Sequence, residues 1–413
     1  MTSQLPEDDA NSVDLERLRT VTEADVFKTG QLAAKLIRTP DGVEFSYLPE
    51  WIEQQRPAVA TTLPVNDQAV LRPGGALPAY FAGLLPEGRR LGALRRAVKT
   101  SADDELSLLL AVGADAVGDV QVVQAGTRPE AVPPRVMVEH VGDLDFAELL
   151  IELGIRTERI ALPGVQDKTS AAMLNVPISR AGERYILKLN PREYPHLVEN
   201  EAFFLRAAKA SGLTVAGAEV VTDATGKPGL LVRRFDRITT GGTARSLGVE
   251  DGCQLSGRPP ADKYLVDTEA TFTALAAVCQ APTVASRDLI RQLAFAYLTG
   301  NGDAHAKNFS VLQGLDGEWR PSPVYDIPSS QPYGDSTMAL SLGGRSGGDF
   351  GGADFVTLGS HLGVPERATR RVLTETADRV GLWIGDLDEL PFDRGRIAKL
   401  RRVITYRQGR LRQ

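Results

Sequence analysis

The sequence predicts an α+β protein of more than one domain: a small mixed N-terminal domain, then a β-rich segment, then a long helical one. Three observations predict it. The chain has 413 residues, more than a single hydrophobic core usually serves. The stretch AGTRPEAVPPRV, rich in proline and without periodicity, reads as a linker and places a boundary near residues 125–135. Beyond it, short alternating runs come first and helical spacing dominates from about residue 260 onward.

In chain order, residues 1–25 are polar and read as a frayed tail, followed by a domain over 26–135. Residues 25–51 alternate apolar and polar positions around a turn at Pro40-Asp41-Gly42, the pattern of a small antiparallel sheet. Helical spacing follows in ALPAYFAGLLPEGRRLGALRRAV and DELSLLLAV, then a strand in DVQVV. A second unit over 136–240 shows strands at SAAML, RYILKLN, AEVVTD and GLLVRRF around one helix, VENEAFFLRAAKASG, stopped at Gly212. In the third unit, 241–413, RDLIRQLAFAYLTG and PERATRRVLTETADRV are the clearest amphipathic helices. A small β-rich lobe followed by a helical lobe is the plan of a bilobal, protein-kinase-like core; by itself this is analogy.

Composition narrows the class. No run approaches the roughly 20 apolar residues of a membrane helix, and MTSQLPEDDANSVD lacks the basic and apolar regions of a signal peptide, so a cytoplasmic chain without membrane contact is expected. Cys253 and Cys279 stand in unrelated contexts, which argues against a disulfide framework or a zinc site. A net charge of −6 disfavours autonomous nucleic-acid binding. The basic C-terminal end is the exception: Arg394, Arg396, Lys399, Arg401, Arg402, Arg407, Arg410 and Arg412 could favour nearby DNA phosphates, while Ile397, Leu400 and Ile404 favour the other reading, a helix with one buried face and solvated charges.

The sharpest local signal is GDAHAKNF at 302–309, where Asp303 and Asn308 lie five residues apart. Protein-kinase catalytic loops use this spacing because the aspartate must meet the acceptor hydroxyl while the asparagine carbonyl holds a metal beside the ATP phosphates. Asp326, in SPVYDIPS, follows a connection able to form a hairpin and is suited to hold magnesium against phosphate oxygens. Lys307 is a secondary candidate for screening the transferring phosphate, and His305 reads as a brace of the loop. Lys188 stands within the apolar strand YILKL, either as an outward-facing strand lysine or as a buried ammonium that needs an anion; ATP phosphate would supply one, and Glu201 on the following helix would steady it. The turn in ALPGVQDKTS is placed to offer backbone N–H groups to phosphate, although it matches neither common nucleotide-binding glycine loop. GGRSGGDFGG at 343–352 reads as a surface loop. The charged cluster Arg233, Arg234, Asp236 and Arg237 has two readings, an adenine-reading connection between lobes or a salt-bridged strand end.

Taken together, LPAYFAGLLPEG, GADAVGDV, PGVQDKTS, YILKLN, ENEAFFL, VRRFDR, CQLSGRPPADKY, TGNGDAHAKNFSVL and PVYDI resemble, in order, the HipA toxin family, kinases of bacterial toxin–antitoxin systems. The resemblance implies a serine/threonine protein kinase using ATP and Mg2+, with Asp303 as base and Asn308 and Asp326 as metal ligands. It implies that Gly164, Val165, Gln166 and Lys188 meet phosphate, that Lys307 and Tyr325 line the nucleotide site, that Phe235 and the Arg233 backbone border adenine, and that Asp236 approaches the ribose. It further implies an aminoacyl-tRNA synthetase as protein substrate, the glutamyl enzyme most often, and a helix-turn-helix antitoxin of HipB type that brings the kinase to operator DNA. A small-molecule phosphotransferase and a co-repressor subunit are the rival readings. Two departures stand out. Ala161, Leu162 and Pro163 occupy the approach to the phosphate loop where relatives carry a regulatory serine, and Arg233 stands where an acidic residue is familiar. Thr169 and Ser170, beyond the turn, do not obviously rebuild the same autophosphorylation switch.

Overall fold

The computed structural model describes residues 15–129, 136–155, 173–240 and 243–413. The expected frayed tail, much of the linker and the phosphate-loop candidates Gly164, Val165 and Gln166 lie wholly or mainly outside these residues.

The N-terminal domain is a five-stranded antiparallel sheet, β1 (Glu23–Lys28), β2 (Gln31–Thr39), β3 (Gly42–Tyr47), β4 (Val70–Pro73) and β5 (Val120–Gln124), in the order β4-β3-β2-β1-β5. The expected turn at Pro40-Asp41-Gly42 joins β2 to β3. Helices α1 (Pro49–Glu53), α2 (Ala79–Gly83), α3 (Gly88–Val98) and α4 (Glu105–Val112) complete this domain. Phe45, Phe81, Leu106 and Val122 meet in its core. The single run of helical spacing over 76–98 is two helices, because Pro86 and Gly88 interrupt it. That break places Glu87 at the turn between α2 and α3.

The second unit holds β6 (Met137–Val138), α5 (Phe146–Glu152), β7 (Leu174–Arg180), β8 (Glu183–Leu189), α6 (Leu197–Ala210), β9 (Ala218–Thr222) and β10 (Pro228–Arg233). Its sheet runs β6-β7-β8-β10-β9 and is antiparallel except for the β6–β7 pair. One face packs on α5 through Leu149, Leu150, Val176, Leu187 and Leu231. Helix α6 joins a different core, in which Phe203, Phe204, Phe295 and Trp383 meet. Alternation along β8 therefore sends Leu187 to one side and Lys188, toward α6, to the other.

Two small sheets follow: β11 (Arg237–Thr240) with β12 (Thr243–Ser246), and β13 (Val249–Asp251) with β14 (Ser310–Gln313), which pairs on its other side with β15 (Trp319–Pro321). Between them come α7 (Gly252–Leu255), α8 (Thr268–Ala277) and α9 (Pro282–Thr299); α10 (Gly352–His361), α11 (Glu366–Asp378) and α12 (Arg394–Leu411) close the helical lobe. Helix α9 is its buried axis, with Leu289, Leu293, Phe295 and Tyr297 inside. It stops at Gly300, whose φ of +67° is readily adopted only without a Cβ, and the chain turns directly into the GDAHAKNF loop.

The C-terminal helix has the expected buried stripe of Ile397, Leu400 and Ile404. Several of its basic groups are engaged: Arg407 is buried and donates to the Tyr297 and Ser336 carbonyls, while Arg401 and Arg412 pair with Asp388 and Asp378. Cys253 and Cys279 are buried free thiols. Among the described residues, no helix is long and apolar enough to cross a membrane.

Candidate active site

The site lies where the two lobes meet and is built from β8, α6, the loop after α9 and the segment after β15. Lys188 donates from Nζ to Glu201 Oε1 at 2.7 Å and to Asp326 Oδ1 at 3.1 Å. The lysine and glutamate are almost fully buried. Burial works against the Lys188 ammonium, but the Asp326 and Glu201 carboxylates outweigh it and raise its pKa above the ordinary lysine value. A permanently protonated group is thus held between strand, helix and the segment carrying Asp326.

Asp326 is reached from the other side by Asn308, whose Nδ2 donates to the Asp326 carbonyl at 3.1 Å and to Oδ2 at 3.3 Å. Asp326 has φ +56°, a left-handed conformation uncommon for a residue with a side chain, and such strain concentrates at functional sites. The Oδ1 of Asn308 is buried and has no hydrogen-bond partner. A buried orphan acceptor beside a carboxylate fits a hard cation taking oxygen ligands. Among the described residues no group of three or more His, Cys, Asp or Glu could hold a metal unaided, so a magnesium ion there would also need phosphate and water oxygens.

Asp303, on the same loop as Asn308, is fully buried. Its N–H donates to Asn301 Oδ1 at 3.0 Å, and its Oδ1 accepts the Tyr264 hydroxyl at 2.6 Å. His305 lies on the same loop: its backbone N–H meets the Asp303 carbonyl at 2.8 Å and its ring packs edge-on against Tyr264. From below, α7 approaches so closely that a Cβ on Gly252 would lie 2.7 Å from the Ala306 carbonyl oxygen. The Gly252 N–H also bonds the Phe309 carbonyl at 2.9 Å.

Phe235 lies against Tyr325, ring centroids 5.6 Å apart, and the Tyr325 hydroxyl donates to the Lys307 carbonyl at 2.7 Å. These two rings therefore stand together beside the loop. The Arg233 N–H bonds the Gly217 carbonyl at 2.7 Å and its guanidinium pairs with Glu183.

Two residues expected at the nucleotide are held by protein partners in this structure. Lys307 directs its ammonium to Asp251 Oδ2 at 2.9 Å and to the Gly83 carbonyl at 3.0 Å, so it ties the loop to the N-terminal domain. Asp236 has both carboxylate oxygens engaged: Arg234 donates to Oδ1 at 3.0 Å and to Oδ2 at 2.7 Å. Arg237 and the Gly118 N–H also reach Oδ2, at 2.6 and 3.0 Å. Asp115 of the N-terminal domain accepts from both arginines, which makes this strand end an interdomain ion cluster.

That cluster has a measurable consequence. Burial alone would raise the Asp236 pKa, yet Arg234 and Arg237 hold it below the ordinary carboxylate value. Its contribution to stability is therefore present above the unfolded pKa of about 4 and disappears as pH falls through the lower folded value. Asp236→Ala would leave buried Arg234 poorly compensated and is expected to cost about 3–5 kcal/mol in urea unfolding at pH 7. A loss below about 1 kcal/mol, the scale of an exposed pair, would contradict the assignment.

Sequence reading missed Asn301, Tyr264, Glu87 and Asp251. Tyr264 and the Gly83–Glu87 stretch fall within segments used for the family resemblance, yet nothing local gave them a role.

A β-lobe with a buried lysine–glutamate pair, set above a helical lobe carrying Asp-x-x-x-x-Asn and a second aspartate, defines the protein-kinase-like class. The HipA-like C-terminal domain matches residues 160–384 and the HipA N-terminal domain matches residues 24–123. The chain belongs to the HipA family. It is 28% identical over 407 residues to the Sinorhizobium fredii protein named "Putative kinase Y4mE", covering 92% of this chain and 96% of that one. It is 28% identical over 330 residues to the serine/threonine-protein kinase toxin HipA of Shewanella oneidensis, covering 74% of each. The HipA chain solved with HipB and operator DNA from Shewanella oneidensis MR-1 superposes with a TM-score of 0.75 at 22% identity, over 94% of this chain and 97% of that one; this is a likeness of fold.

Proposed function

We propose that the protein is an ATP- and magnesium-dependent serine/threonine protein kinase of HipA type. The observation that carries the reading is the convergence on Asp326 of Lys188 from the β-lobe and Asn308 from the loop that also bears Asp303. Lys188 would hold the α- and β-phosphates, steadied by Glu201. Phe235 and Tyr325 would flank the base, with the Arg233 backbone beside it. The acceptor oxygen attacks the γ-phosphorus, the bond to the bridging oxygen of ADP breaks, and the hydroxyl proton passes to Asp303. Asn308 and Asp326 would hold magnesium, which would supply neutralisation of the phosphate charge. Alignment and charge stabilisation provide most of the acceleration in such transfers.

The names of the curated relatives support kinase chemistry, and the name of the Shewanella relative supports serine/threonine specificity and a toxin role. By family likeness, the acceptor we propose is a serine of an aminoacyl-tRNA synthetase, the glutamyl enzyme first, with arrest of translation as the consequence. A helix-turn-helix antitoxin of HipB type, bound to operator DNA, would restrain it, by analogy with the Shewanella complex of HipA, HipB and operator DNA.

Two measurements test this reading. Calorimetric titration with ATP is expected to show binding tightened by magnesium, and Asn308→Ala to lose that tightening; magnesium-independent binding in both would remove Asn308 from the metal site. Phosphoproteomics after brief induction, set against an Asp303→Asn control, is expected to show one synthetase peptide modified only by the parent protein. Phosphopeptides confined to other proteins would redirect the substrate assignment.

A further inference from the structure

Lys263 and Tyr264 lie between α7 and α8, outside the catalytic loop, yet both are fastened to it. The Tyr264 hydroxyl donates to Asp303, its ring abuts His305 with centroids 5.1 Å apart, and the Ala306 N–H donates to the Lys263 carbonyl at 3.2 Å. The Lys263 ammonium pairs in turn with Glu87, at the turn between α2 and α3 in the N-terminal domain. The same carboxylate lies 3.5 Å from Nζ of Lys307, the residue immediately before Asn308. One N-terminal side chain thus reaches both the segment bearing Tyr264 and the loop bearing Asp303 and Asn308.

Domain docking does not require this arrangement. The ion cluster at Asp115 already joins the N-terminal domain to the end of β10, and Thr61 binds Glu250 through its N–H and hydroxyl at 2.9 and 2.8 Å. The Glu87 side chain is 33% exposed, so its pairs with Lys263 and Lys307 contribute little net stability, but they can specify geometry. A general base needs such control, since a displacement of about 1 Å can cost on the order of 100-fold in rate. Burial and the Asp303 carboxylate both push the Tyr264 phenol well above the ordinary tyrosine value, so it remains a donor at neutral pH.

We infer that Glu87 and Tyr264 form a positioning relay through which the docked N-terminal domain aligns Asp303 for proton acceptance. Both are positioning residues, and the inference rests on the reading of Asp303 as the base of phosphotransfer.

The test uses the full chain, magnesium-ATP and glutamyl-tRNA synthetase, the acceptor proposed above, with kcat, KM for ATP and the thermal midpoint measured for each variant. Tyr264→Phe is expected to lower kcat by about 10- to 100-fold. Its KM for ATP should stay within about twofold of the parent and its midpoint should be nearly unchanged, a split that general loosening of the site would not give. Glu87→Gln, which retains hydrogen bonding but removes the charge, is expected to lower kcat several-fold with the same split. Combined, the two should fall little below Tyr264→Phe alone, the non-additivity of residues acting in series. Parental kcat in Tyr264→Phe, parallel losses in KM and midpoint, or multiplicative effects in the double variant would each overturn the relay. Absence of transfer by the parent protein would overturn the proposed function and the relay with it, whereas parental transfer unaffected by Tyr264→Phe would overturn the relay alone.

Discussion

Asp303→Asn is expected to reduce phosphotransfer by about 10²- to 10⁴-fold, the range that a positioned base contributes. The substitution keeps the side chain's size and an oxygen able to accept from the Tyr264 hydroxyl, now 2.6 Å from Asp303 Oδ1. It removes the negative charge that takes or orients the acceptor proton. Asp303 is wholly buried, so the variant should fold with nearly the same thermal midpoint only if the amide is satisfied locally. Magnesium-ATP affinity is the internal control, because Lys188, Asn308 and Asp326 are untouched. A folded variant with full transfer would remove Asp303 from the mechanism.

Lys188→Met is expected to affect stability and activity together. The lysine separates two carboxylates, and Glu201 has a side chain only 1% exposed. Without the ammonium, Glu201 is left buried near Asp326 with no compensating charge, an arrangement worth about 3–5 kcal/mol of destabilisation. Urea unfolding should record that loss unless the glutamate takes up a proton. Adding Glu201→Leu should recover most of the stability, since replacing a buried pair by apolar groups is commonly neutral or favourable. It should not recover phosphotransfer, which is expected to remain about 100-fold or more below the parent without the cation. Recovery of both would mean that the pair is a packing element and that phosphate is held elsewhere.

Much of this site was readable along the chain. The five-residue step from Asp303 to Asn308 lies within one loop, Lys188 interrupts an apolar strand, and Glu201 falls in the next helix. The β-rich and helical segments, the stop at Gly300 and the buried stripe of α12 also follow local rules of periodicity and turn chemistry. Even the break between α2 and α3 was present in the letters Pro86-Glu87-Gly88.

Other assignments depended on contacts that no spacing rule reaches. Tyr264 meets Asp303 across 39 positions, and Lys263 meets Glu87 across 176. Asp236 could have faced a ribose or closed an ion cluster, and Arg234 and Arg237 beside it were compatible with both. Asp115 and Gly118, brought from the N-terminal domain, complete the cluster and leave both carboxylate oxygens occupied. The partners of Lys307 are equally remote: Gly83 and Asp251 converge on an ammonium that a linear reading placed beside phosphate. Local sequence governs backbone conformation and the apolar faces of helices and strands, because those depend on near neighbours. The partner of a buried charge depends on which distant groups domain packing carries to it, and its desolvation must be met by whichever opposite charge arrives.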